Sequence, residues 1–200
     1  MAGDAGQIAP GLALLLVGRD GRHGRHRLDP PEIGRPPNHL QAVEGAAGRP
    51  YSMASFPADA VLAIYFGYTT CLRACPVALD SIAAAMDDLG KAGDRVQPVF
   101  VDLDPARTDP VNLRLYMETF GPRFLGLTGS EGAVAAAARS FEVEVRRLQF
   151  GVDPSDYAMT HLSPIFVLRS GEAKPLMLPA TSSPEALEAA FRQVLDAKPP

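Results

Sequence analysis

Two cysteines, Cys71 and Cys75, stand in the stretch YFGYTTCLRACP, residues 65–76, and the chain has no others. Three residues separate them, one more than in the common redox pair. Thiolates serve two chemistries at such a spacing: they attack disulfides, and they bind soft metal ions. Two thiolates suffice for Cu(I), whereas an ion of higher coordination needs a third donor. Of the four histidines, three lie before residue 40 and one, His161, stands in DYAMTHLSPIFVL, residues 156–168. A pair of inert core cysteines is the plain alternative. The neighbouring glycine and threonines, and the proline that follows, do not resemble anonymous core.

These residues need elements to hold them. AVLAIYF, residues 60–66, is a nearly continuous apolar run that suits a strand buried on both faces. Cys71 follows in a loop. Pro76 then opens an apolar period that runs to Gly90, so a helix is predicted with Cys75 as its N-cap. Unpaired backbone N–H groups and the helix dipole favour anions there and lower cysteine pKa values. Arg73, between the thiols, acts in the same direction.

VQPVFVDLD, residues 96–104, predicts a second strand, and Asp109 caps a second helix that opens on Pro110 and stops at Gly121. A short run, RFLGLTG, precedes a helix capped by Ser130. FEVEVRRLQF, residues 141–150, alternates as a strand with Phe141, Val143 and Val145 on one face. SPIFVL and KPLMLP form a hairpin about Ser170 and Gly171, and SPEALEAAFRQVLDA closes the chain as an amphipathic helix. Parallel crossovers followed by an antiparallel hairpin predict an α/β fold, a three-layer α/β/α sandwich with a mixed sheet. This is the thioredoxin-like order, with the cysteine pair after the first strand, where that fold keeps its active site. His161 falls in the loop before the central strand and faces the cysteine loop. From position alone it reads equally as a third ligand or as a hydrogen-bonded loop histidine.

The first 50 residues differ in character. They hold 9 of the 18 glycines and 6 of the 19 prolines. Residues 1–50 read as a flexible tail or an eroded signal or anchor, and residues 51–200 as the folded domain. The run Ile8–Gly18 is 11 residues long, short of the roughly 20 a membrane-spanning helix needs. No transmembrane helix is evident. His23 and His26 sit among arginines and read as part of a solvated linker. The net charge of −4 argues against nucleic acid as a partner.

Three segments carry a family resemblance: YFGYTTCLRACP, VFVDLDPARTDPVNLRLYMETFGPRFLGLTGS and DYAMTHLSPIFVL. Across about residues 51–178 the chain resembles the Sco/SenC family, thioredoxin-like copper-binding factors that help assemble the CuA centre of cytochrome c oxidase. The resemblance implies copper, as Cu(I) or Cu(II), on Cys71, Cys75 and His161. It implies as partner the oxidase subunit that carries CuA, or another copper or thiol protein. It implies a location in the periplasm or at the inner membrane, with the cytoplasm left open by the weak export signal. Asp102, Asp104 and Asp109 fall in a segment shared with the family and read chiefly as strand end and helix cap. The chain departs from the pattern at Leu72 and Arg73, where the family has Pro and an acidic residue. It departs again at Thr160, where the family has an Asp able to orient the imidazole. Pro164 stands where thioredoxins place a cis-proline.

Two functions compete. One is a copper metallochaperone that delivers metal or reduces a partner's cysteines. The other is a thiol-disulfide oxidoreductase or redox sensor, in which Cys71 attacks and Cys75 resolves without metal.

Overall fold

A computed structural model describes residues 43–45, 50–172 and 174–197. The rest of the expected tail, with Ile8–Gly18, His23 and His26, lies outside the described residues. Nine strands and four α-helices follow in order among them. They are β1 (Val43–Gly45), β2 (Pro50–Tyr51), β3 (Val61–Gly67), α1 (Ala74–Asp88), β4 (Val96–Asp102), α2 (Pro110–Glu118) and β5 (Leu125–Thr128). Then come α3 (Glu131–Ser140), β6 (Glu144–Gln149), β7 (Tyr157–Leu162), β8 (Ile165–Arg169), β9 (Leu176–Leu178) and α4 (Pro184–Asp196).

The main sheet has the order β2-β1-β5-β4-β3-β8-β9. β3 runs parallel to β4 and antiparallel to β8, and β4 runs parallel to β5. All seven residues of β3 are buried, which explains its unbroken apolar character. Alternate β3 side chains feed two cores. Val61, Ala63 and Tyr65 pack with α1, α2 and α4, while Leu62, Ile64 and Phe66 pack with α3 and the β6–β7 pair. The result is the expected helix–sheet–helix sandwich with a mixed sheet. The sheet also reaches further back than Tyr51, because Glu44 and Gly45 pair with Thr128 and Leu127 of β5.

Capping follows the sequence. Asp109, Ser130 and Ser183 each accept from backbone N–H groups of the helix they precede, and Pro110 and Pro184 take the first helical position. α1 differs from expectation. It begins at Ala74 with Arg73 in the N-cap position, so Cys75 is the second helical residue. Pro76 is tolerated at the third, since the first four N–H groups of a helix have no intrahelical acceptor. The second difference is β7. The segment before β8 is a strand, paired with β6 in a separate two-stranded sheet. Tyr157 and Met159 turn inward while Ala158 and Thr160 face out, the period of two that marks a half-buried strand.

Candidate metal and thiol site

β3 ends at Gly67, and the chain turns through residues 68–73 into α1. The Cys71 N–H donates to the Tyr68 carbonyl at 3.1 Å, which tightens the turn. Cys71 Sγ then accepts from the backbone N–H of Cys75 at 3.4 Å. A sulfur thus serves one of the open N–H groups of α1, the task that sequence reasoning gave to Cys75. Both cysteines are free thiols; Cys71 is half-buried and Cys75 fully buried.

Their acidities diverge. Burial opposes ionisation of Cys71, but hydrogen bonds from Cys75 and from the backbone of Cys75, Arg73 and Ala74 outweigh it and lower its pKa. Burial pushes Cys75 up to about 12, against smaller help from the Tyr68 backbone and the Tyr65 hydroxyl. The accessible sulfur is therefore the more acidic of the two, and the hidden one holds its proton more tightly. Gly67 makes room for this pair. A Cβ there would lie 2.9 Å from Cys75 Sγ and 2.7 Å from Phe100 Cε2.

His161 sits on β7 opposite Val145, not in a loop. Its half-buried ring lies 6.3 Å from the Tyr65 ring and edge-on to Tyr68 at 5.6 Å. Burial lowers its pKa, so the imidazole is neutral at pH 7 and carries a lone pair. Nδ1 is buried and has no hydrogen-bond partner. Thr160 points to the opposite, exposed side of the strand. A carboxylate there would not face the ring in this arrangement, so Thr160 removes no acceptor from it. The Ser163–Pro164 bond is trans, since no described peptide bond is cis.

The structure brings Cys71 and Cys75 together and sets His161 apart from them, beside Tyr65 and Tyr68. Tyr65 donates to Cys75 Sγ at 3.9 Å and also neighbours the His161 ring. Tyr68 neighbours the same ring and donates its hydroxyl to the Met159 carbonyl at 3.2 Å. Among the described residues no three Cys, His, Asp or Glu side chains stand close enough to hold one metal ion. Both tyrosines lie inside the cysteine motif, yet sequence reasoning gave them no role. A hydroxyl at the inward end of a strand with no other polar group was the available signal.

The acidic segment supports the site from below. Asp104 is buried, accepts from Arg107 and from the Tyr157 hydroxyl, and the Arg107 guanidinium also stacks 3.9 Å over the Tyr157 ring. Arg107 donates to the Tyr157 carbonyl at 3.0 Å. Next to it, Thr108 contacts Thr69 of the cysteine loop at 3.1 Å. Asp102 is buried, and burial raises its pKa to about 6 against hydrogen bonds from Thr108 and others. Asp109 is the cap of α2, as expected.

The family model described as SCO1/SenC matches residues 43–196. The chain belongs to the SCO1/SenC family. An SCO2-like protein of Rickettsia felis is 35% identical over 100 residues, which are 50% of this chain and 49% of that protein. The chain thus spans about half the length of the curated relatives it matches. Apo Sco1 from Thermus thermophilus, solved in solution, is 34% identical with a TM-score of 0.65, covering 86% of this chain and 96% of that one. Yeast Sco1 solved with copper bound is 26% identical with a TM-score of 0.70, covering 85% and 92%. These likenesses confirm the thioredoxin-like fold and the family that the cysteine and histidine segments pointed to.

Proposed function

We propose that the chain carries copper on Cys71, Cys75 and His161 and serves the assembly of the CuA centre of cytochrome c oxidase. The observation that supports this most is the His161 ring. It is neutral, its buried Nδ1 lacks any partner, and its ring neighbours Tyr65 and Tyr68, two tyrosines of the cysteine segment. A buried polar atom without a partner is costly unless something occupies it in another state. The donor set fits the ion: two sulfurs suit Cu(I), and an added imidazole suits Cu(II). A copper-bound relative of the same fold supports it further. Copper here is cargo. Cys71 supplies a thiolate, Cys75 a second sulfur once its proton leaves, and His161 a nitrogen when hairpin and loop close. The partner in this reading is the oxidase subunit with CuA. The compartment is the periplasm or the inner-membrane surface, on family membership; among the described residues no helix is long and apolar enough to cross a membrane.

The split acidities of the thiols favour a second activity at the same site. Cys71 as thiolate attacks a partner's disulfide, forming a mixed disulfide and expelling one partner thiolate. Cys75 loses its proton and attacks Cys71 Sγ, releasing the second partner thiolate. The partner gains two electrons, and the chain ends with a Cys71–Cys75 disulfide.

Copper titration of the reduced protein tests the main reading. One tight Cu(I) equivalent is expected, lost in Cys71→Ser and kept in His161→Ala. Cu(II) binding should fall by more than about 10-fold in His161→Ala, the low end of what even a residue behind a ligand contributes. Reduction of insulin disulfides with no copper uptake would leave only the thiol activity.

A further inference from the structure

We propose that Tyr68 is a positioning residue that latches the β6–β7 hairpin to the cysteine loop and so holds His161 beside that loop. The inference rests on the copper reading above. The hairpin forms its own two-stranded sheet and shares no ladder with the main one. Beyond the two residues that join β7 to β8, its approach to the cysteine loop therefore depends on side chains. Tyr68 stands three residues before Cys71, and its carbonyl holds the Cys71 N–H at 3.1 Å. Its hydroxyl reaches across to the Met159 carbonyl at 3.2 Å, two residues before His161 on the same side of β7. Its ring meets the His161 ring edge-on at 5.6 Å. One side chain thus touches the strand and the ring, while its backbone holds the first cysteine.

The hydroxyl is the separable part. Tyr68→Phe keeps the ring and removes the hydroxyl, which bonds the Met159 carbonyl and also lies beside the Cys71 sulfur. Two readouts test the role, the first without metal. In the apo protein, amide hydrogen exchange across residues 157–162 should quicken about fivefold to tenfold, the factor for one net hydrogen bond, while exchange in β3 quickens by no more than that and the melting temperature falls by only a few degrees. In the loaded protein, Cu(II) affinity should fall by a similar factor, with a shifted thiolate-to-Cu(II) absorption band. Cu(I) affinity should change less than Cu(II) affinity, since both sulfurs remain and only the hydroxyl beside Cys71 is lost. Unchanged exchange, or quickened exchange with unaltered Cu(II) affinity and band, overturns the proposal. A band absent from the unaltered protein also overturns it, by removing the cysteines as Cu(II) ligands and with them the copper reading. That outcome is told apart from failure of the latch alone, which would leave the band intact.

Discussion

The loop that carries Cys71 and the hairpin that carries His161 are held by different kinds of contact. The loop is continuous with the central strand and with α1, and its turn is closed by backbone bonds and by a sulfur accepting from Cys75. The hairpin stands outside the main sheet and is tied in by side chains: Tyr68, Arg107 and the Tyr157–Asp104 bond. Five of the six β6 residues are exposed, and Val152 near the tip is fully so. One short segment serves both arms, since Arg107 faces the hairpin and Thr108 the cysteine loop. The lesson is a division of labour. Redox chemistry needs only the rigid arm. A third metal ligand needs the adjustable one, and a carrier that must release its cargo gains from a ligand it can withdraw.

Arg107→Gln should break this contrast most strongly. It removes the cation beside buried Asp104, the stacking on Tyr157 and a bond to the Tyr157 carbonyl. Stranding one partner of a buried pair costs about 3 kcal/mol. Hairpin amides should then exchange on the order of 100-fold faster and stay less protected than those of β3 and α1, which open only with the whole domain. Equal protection in both would show that the two arms open as one unit.

The rigid arm was legible and the adjustable one was not, for a physical reason. A strand buried on both faces writes itself as an apolar run, so residues 60–66 announced β3 and the loop after it. Caps at Asp109, Ser130 and Ser183 are local chemistry and were equally plain. The start of α1 was misplaced because a sulfur four residues back does the capping, a contact no propensity encodes. β7 was read as a loop because polar Thr160 and His161 interrupt a strand with only one buried face. Its anchors come from residues some 50 to 90 positions away, which spacing cannot reveal. Copper ligation by His161 came from resemblance, and the structure holds the ring apart from the thiols.

Asp102 sharpens the comparison from the shared support. Its carboxyl has one oxygen without a partner and a pKa raised from 3.8 to about 6 by burial. Between these values the native state binds more protons than the unfolded chain, so stability falls as pH rises through that window and stays low above it. Asp102→Asn should therefore stabilise the protein at pH 7.5 by about 3 kcal/mol, an order of magnitude from the size of the shift. It should also flatten the pH dependence between about 4 and 6. Urea unfolding at a series of pH values reads both. A variant less stable than the parent at pH 7.5 would mean that the Thr108 and Thr128 bonds need a charged acceptor, and that Asp102 braces the cysteine loop as an anion.

The smallest effect is expected at the far end of the hairpin. Val152 is fully exposed, and its neighbour Phe150 is mostly so. The turn between the strands is held by other groups: Phe150 N–H donates to the Asp156 carbonyl, and Asp153 accepts from the Ser155 N–H. Val152→Ser deletes apolar surface that is already in water, so it should move stability by less than about 0.5 kcal/mol. In a chain of this size that is about 1 to 2 °C in Tm. Exchange at residues 157–162 should not change either, because the latch contacts fall on Tyr157 and Met159 and not on Val152. A clear loss of hairpin protection from this change alone would mean that the tip is covered by another surface in solution. The adjustable arm would then be held from outside as well as from within, and its apparent looseness would belong to the isolated chain.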